Sequence, residues 1–209
     1  MRREGDTADA EDLAVAVLAG GRSSRFGTDK RAARLRGCTL LERALRTARE
    51  VSPHVLLSLA AGAPGTATEG ATPVFDATPD AGPLGGIVAV LRATTVRRVV
   101  FLPVDMPGVT AALLRALAAR RDGRWVALRD GDREHPLPCC VDREILPGLE
   151  KALQEGRRTL RDATQPSGMT FVPLSDLAGP TDALALLANV NTRDDLDALQ
   201  ETAGGVRTR

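Results

Sequence analysis

Three kinds of residue crowd into one short stretch near the start of the chain. In Leu18-Ala-Gly-Gly-Arg-Ser-Ser-Arg-Phe-Gly-Thr-Asp-Lys30, Gly20, Gly21 and Gly27 alternate with Arg22, Arg25 and Lys30. Glycines let a backbone pass close to a bulky anion, and the backbone N–H groups of such a loop can converge on phosphate oxygens. Arginine and lysine add full positive charge. The chemistry this suggests is the holding of a nucleotide polyphosphate. The plainer alternative is a basic strand-to-helix turn with no ligand. A Walker A loop is excluded, because it needs four residues between its glycines, whereas Gly21 and Gly27 are separated by five and Thr28 follows. The dinucleotide fingerprint G-x-G-x-x-G is also absent.

Further segments carry groups of complementary chemistry. In Phe101-Leu-Pro-Val-Asp-Met-Pro107 an apolar run ends on Asp105. A carboxylate at the carboxyl end of a strand can hold Mg²⁺, which takes hard oxygen ligands from one or two carboxylates plus substrate phosphates. The alternative is an Asp that only shapes the turn before Pro107. In Asp76-Ala-Thr-Pro-Asp-Ala-Gly-Pro-Leu-Gly-Gly86 an acid ends one element, and Gly82, Gly85 and Gly86 open the next. Asp76 can accept hydrogen bonds from the donor edge of a base. It or Asp80 can equally cap a helix, with the glycines serving close helix–sheet packing. His135-Pro136-Leu137 follows a polar stretch with Arg129, Asp130, Asp132, Arg133 and Glu134. A lone histidine of this kind is more often structural than catalytic. The arginines of Gly156-Arg-Arg-Thr-Leu-Arg161 suit a phosphate or a solvated helix start. Asn189-Val-Asn-Thr-Arg-Asp-Asp-Leu196 offers Asn191 or Thr192 as a helix cap.

Position follows from the elements between these motifs. The apolar run from Leu13 to Val17 reads as a buried strand leading into the glycine loop. Residues 39–51 carry Leu40, Leu41, Ala44, Leu45 and Ala48 at helical spacing, and 54–59 reads as a second strand. Strands are expected at 72–75, 98–104, 125–128, 137–141 and 170–173. Helices are expected at 84–93, 110–119, 143–154 and 193–199. The alternation predicts an α/β fold with a mostly parallel central sheet and helices on both faces. Ligands in such sheets lie beyond the carboxyl ends of the strands, which gathers the Gly20 loop, Asp76 and Asp105 at one edge.

Composition narrows the class. With 209 residues and 43% apolar side chains, one domain with a substantial core is expected, spanning 13–201 between a disordered lead-in at 1–12 and a disordered tail at 202–209. Four Phe, one Trp and no Tyr argue against an aromatic nucleic-acid platform. A formal net charge of +1 gives no bulk attraction to nucleic acid or membrane. The charged stretch before Asp12 has no apolar signal-peptide centre, so a cytoplasmic protein is expected. Cys38, Cys139 and Cys140 lack zinc-ligand spacing and read as free thiols, the adjacent pair pointing to opposite faces of a strand.

The motifs together resemble those of the molybdenum cofactor guanylyltransferases. The first run is similar to L-A-G-G-x-S-x-R-M-G-x-D-K, with Phe26 where Met is usual. Asp105-Met-Pro107 is similar to the family's D-x-P, and Asp76 with Gly82-Pro-Leu-Gly-Gly86 to its D…G-P-L-x-G. His135-Pro-Leu137 and Asn189-Val-Asn-Thr192 also match, so the resemblance runs from Leu18 to Leu196. It implies a Rossmann-like nucleotidyltransferase fold and transfer of GMP from GTP to molybdenum-bearing molybdopterin, with release of pyrophosphate. By the same resemblance, Leu18, Ala19, Gly20, Gly21, Arg25, Lys30 and Asp76 bind the nucleotide. Asp105 holds Mg²⁺, and Arg25, Lys30 and Asp105 form the catalytic set. His135, Asn189 and Asn191 fall on the pterin side. Other cofactor-biosynthesis proteins and molybdoenzyme chaperones are expected as partners. One departure stands out: Ser58 occupies the place after the second strand where the family often has Asn. The cytidylyltransferase paralogue usually reads L-A-A-G and D-Q-P, whereas Gly20-Gly21 and Asp105-Met-Pro107 point to guanine. Sugar-phosphate and isoprenoid nucleotidyltransferases share the loop type without the later motifs. From another class, a non-catalytic GTP-binding or cofactor-carrier module would retain the loop but need neither Lys30 nor Asp105.

Overall fold

Apolar runs with few polar interruptions dictate the centre of the molecule. Strand β1 (Leu13–Leu18) and strand β6 (Arg98–Pro103) are buried on both faces, as parallel strands between two helical layers must be. The computed structural model describes residues 12–20, 30–63, 70–76, 78, 81–165, 168–178 and 183–202. Its main sheet has seven strands in the order β5-β4-β1-β6-β8-β7-β9. The remaining members are β4 (His54–Ala60), β5 (Thr72–Asp76), β7 (Trp125–Asp130), β8 (Arg133–Asp142) and β9 (Thr170–Pro173). A two-stranded ribbon, β2 (Arg34–Leu35) with β3 (Cys38–Thr39), stands apart.

The mostly parallel sheet is as expected. Strand β1 runs parallel to β4 and β6, β4 to β5, and β7 to β9. Strand β8 alone runs antiparallel, to both β6 and β7. The polar stretch around Asp132 is therefore the tip of the β7–β8 hairpin, turned at Gly131 with φ 55°. His135 lies on β8 opposite Leu128, since the strand starts at Arg133 and not at the expected 137.

Helices cover both faces. Helix α1 (Leu40–Val51) and helix α3 (Ala111–Ala119) bury Leu40, Leu41, Leu45, Leu113 and Leu117 against one side. Helix α2 (Gly82–Ala93) and helix α4 (Leu146–Gln154) bury Leu84, Ile87, Leu91 and Leu149 against the other. Shorter helices follow: α5 (Leu160–Ala163), α6 (Ser175–Ala178), α7 (Ala183–Leu187) and the closing α8 (Arg193–Thr202). Local chemistry sets the ends. Thr39 and Glu42 form a reciprocal capping box at the start of α1. The nearly buried Arg98 donates to the carbonyls of Ala118 and Arg120, satisfying the open C-terminal end of α3. Cys139 and Cys140 do face opposite cores, one in each hydrophobic cluster.

Leu57 is fully buried in the middle of β4, between β1 and β5. Leu57→Ala is expected to cost about 2–5 kcal/mol of stability. Urea denaturation should show this as a lower midpoint with an unchanged slope. Phe75→Ser, at a position 46% exposed, should leave the midpoint close to that of the parent.

Candidate functional site

The carboxyl ends of β1, β4, β5 and β6 form a common edge, and residues just past them make the site. Past β1, Ala19 donates its N–H to the Ser58 carbonyl, and Val104, past β6, donates to the Leu18 carbonyl. Gly20 passes so close to β4 that a Cβ there would lie 3.1 Å from the Ala60 nitrogen and 3.3 Å from the Leu59 carbonyl carbon. The structure thus gives Gly20 a packing reason: a side chain on its path beside β4 would press tightly on the β4 backbone. Leu18 and Ala19 take their expected places at this edge. Gly21, Arg22, Arg25, Phe26, Gly27 and Asp80 lie outside the described residues.

Lys30 and Asp105 are brought together from 75 positions apart. The Lys30 Nζ donates to Asp105 Oδ2 at 2.8 Å, with the two side chains only 15% and 27% exposed. The same ammonium donates to Asn191 Oδ1 at 3.0 Å. Lys30 opens a 3-10 turn over Lys30–Ala32, the first described element after the glycine loop. Asp105 sits in the turn that ends β6, where Met106 N–H donates to the Pro103 carbonyl. The Asp105 carbonyl accepts the N–H of Val190, tying the C-terminal segment to the head of β6. Asn191, expected on the pterin side, thus meets Lys30. Asn189 is exposed.

Asp76 ends β5 and accepts the Thr78 N–H at 2.8 Å. Its carboxylate lies against the first turn of α2: a Cβ on Gly85 would fall 2.1 Å from Asp76 Oδ2. Gly86 similarly makes room for Ser58, whose Oγ would be 2.6 Å from a Cβ there. The two glycines are therefore packing residues that seat two polar side chains, as the packing reading of the motif expected. Ser58, the departure from the family pattern, is only 2% exposed beneath α2. No side chain caps α2 at Ala81.

His135 is half-buried, and continuing the β6–β8 register places it beyond the end of β6, on the Asp105 side of the sheet. Burial pushes its pKa below the ordinary histidine value, the Arg133 charge adds to this, and Asp130 opposes it. The ring is thus neutral at physiological pH and suits hydrogen bonding more than charge pairing. The arginines of the 156–161 motif are engaged within the fold. Arg157 donates to the Asp162 and Gln165 carbonyls, Arg158 to the Leu153 carbonyl, and Arg161 pairs with Glu134 and stacks on Phe171. Burial raises both adjacent thiols, Cys140 to about 11, which makes them poor nucleophiles at neutral pH.

Among the described residues no cluster of three or more His, Cys, Asp and Glu side chains is arranged to hold a metal. A cation here would need Asp105 plus oxygens brought by a ligand, the way Mg²⁺ is usually bound. The donor chemistry therefore fits. Asp195 is the residue that sequence reasoning left without a role: its Oδ2 accepts the N–H groups of both Asn191 and Thr192. The signal was the Thr192-x-x-Asp195 spacing of a capping box.

A glycine-rich sequence after the first strand, an acid after its neighbour β6 and a lysine paired with that acid fit a nucleotidyltransferase of the α/β class. The profile of the MobA-like NTP transferase domain matches residues 15–169. A probable molybdenum cofactor guanylyltransferase from Opitutus terrae is 35% identical over 159 residues, covering 74% of this chain and 79% of its own length. Among solved structures, molybdopterin-guanine dinucleotide biosynthesis protein A from Archaeoglobus fulgidus superposes with a TM-score of 0.75 at 24% identity, covering 91% of this chain and 98% of that one. A Mycobacterium tuberculosis protein solved in complex with manganese superposes with a TM-score of 0.63 at 22% identity, covering 91% and 98%. The chain belongs to the MobA-like NTP transferase family, among the molybdenum cofactor guanylyltransferases.

The Asp76–Gly85 contact is directly testable. Gly85→Ala should drive the Asp76 carboxylate out of its seat. It is expected to weaken nucleotide binding about tenfold, the scale of one hydrogen bond to a charged group. Asp76→Ala should weaken it equally, and the double variant no further, in calorimetric titrations.

Proposed function

We propose that this chain transfers GMP from GTP to molybdenum-bearing molybdopterin. A terminal phosphate oxygen of the pterin attacks the α-phosphorus of GTP. The bond from that phosphorus to the bridging oxygen breaks, and pyrophosphate leaves with the electron pair. The product is molybdopterin guanine dinucleotide. The observation that carries the reading is the meeting of Lys30, Asp105 and Asn191 at the carboxyl edge of the sheet, just after the glycine loop. Family membership supports GTP as the nucleotide and molybdopterin as the acceptor.

Each residue then has a task. Leu18, Ala19, Gly20 and Gly21 hold base and phosphates through the backbone, and Asp76 accepts the donor edge of guanine. Lys30, with Arg25, donates to phosphate oxygens as charge shifts toward the leaving pyrophosphate. Asp105 would hold Mg²⁺, which supplies charge neutralisation to the phosphates. The likeness to a protein solved with manganese supports a divalent cation. A neutral His135, with Asn189 and Asn191, faces the pterin. The reaction needs no covalent nucleophile, so the buried thiols have no part in it. Residues 13–201 act as one catalytic unit in the cytoplasm, handing product to other cofactor-biosynthesis proteins or molybdoenzyme chaperones. Among the described residues, no helix is long and apolar enough to cross a membrane. The alternative of a non-catalytic GTP-binding module is disfavoured because pure binding needs no lysine–aspartate pair at the phosphate end.

Two measurements check this. With loaded pterin and magnesium, pyrophosphate release should be much faster from GTP than from CTP or ATP. Equal turnover of CTP would defeat the base assignment. Lys30→Ala and Asp105→Ala should each still melt cooperatively. Each should lose at least tenfold to a hundredfold in rate, since a charged hydrogen bond is worth about 1.5–3 kcal/mol.

A further inference from the structure

We infer that Asp195 is a positioning residue of the phosphate site, acting through Asn191 on Lys30. The inference rests on the nucleotidyl-transfer reading of that site and adds a residue to it.

Three consecutive N–H groups at the entry to α8 are pinned. Val190 donates to the Asp105 carbonyl at 2.8 Å. Asn191 and Thr192 both donate to Asp195 Oδ2, at 2.7 and 2.8 Å. Thr192 Oγ1 accepts the Asp195 N–H in return at 3.1 Å, which closes the box. A capping box at α8 requires only the Thr192 and Asp195 pair. The bond from Asn191 N–H to the same oxygen is extra. It fixes the residue before the cap, whose side chain accepts from Lys30 Nζ at 3.0 Å.

That matters because the Lys30–Asn191 contact is solvent-exposed. An exposed polar contact between two freely rotating side chains is worth little, since ordering them consumes the gain. Here the Asn191 backbone is held from both sides, and only its side-chain torsions remain to be ordered. The site is thereby pre-organised by a chain running Asp195, Asn191, Lys30, Asp105. The two backbone donors hold the Asp195 carboxyl below the usual carboxylate range, with Thr192 Oγ and the Lys30 charge adding. It therefore stays ionised, and the clamp stays closed, through the physiological pH range.

The test uses the full chain and calorimetric titration with GTP and magnesium. Asp195→Ala and Asn191→Ala should each weaken binding about threefold to tenfold. The double variant should be no weaker than Asn191→Ala alone, because the two act on one contact. Asp195→Asn should restore most of the affinity, since its amide oxygen can accept both N–H groups. Thr192→Ala, which removes only the hydroxyl half of the box, should lower the melting temperature and leave the Kd near that of the parent. The inference is overturned if Asp195→Ala binds like the parent, if the two losses multiply in the double variant, or if Asp195→Asn is as damaging as Asp195→Ala. Should the parent bind CTP in place of GTP, the guanine assignment fails, and the same cycle read with CTP still decides the role of Asp195.

Discussion

The central parallel pairing of β1 with β4 and β6 is the constraint on which the site depends. Leu18 is level with Ser58 on one side and with Pro103 on the other. Since the three parallel strands end within two residues of one another, the chain leaving β1 and the turn holding Asp105 emerge on the same edge. A slip of one residue would turn each strand's buried set to the opposite helical layer. Strands β1 and β6 are buried on both faces, and the two cores differ in shape, so such a slip would misfit both at once.

On that rigid edge the polar groups are arranged to compensate one another. Lys30 and Asp105 are mostly buried, and each would carry a desolvation cost if left alone. Paired at 2.8 Å they neutralise each other. Asp76 and Ser58 are seated differently, in space that only Gly85 and Gly86 leave open. One half of the edge is thus organised by charge and the other by the absence of side chains.

The C-terminal segment completes the site although it contributes nothing to the sheet. Val190 is fully buried and tied to the Asp105 carbonyl, while Asn191 reaches Lys30. A chain end can do this because hydrogen bonds to fixed backbone groups need little surface. The fold therefore closes on Lys30 across 161 positions of sequence.

Much of this was legible in the residues themselves. Apolar runs announced the strands, helical spacing announced α1, α3 and α4, and loop chemistry pointed to Lys30, Asp76 and Asp105, because burial and phosphate binding each demand particular side chains at short range. What the sequence alone left open were the relations between distant segments. The reversed direction of β8, which sets His135 opposite Leu128, depends on a hairpin whose partner is chosen by packing. The engagement of Arg157, Arg158 and Arg161 by carbonyls and Glu134 depends on helices meeting in space. The roles of Gly85 and Gly86 as seats for Asp76 and Ser58, and of Asp195 behind Asn191, appear only when α2 and α8 are docked. Local propensity and chemistry act within a few residues and can be read along the chain. Contacts between segments are decided by which apolar faces bury together, and that is settled only in the folded whole.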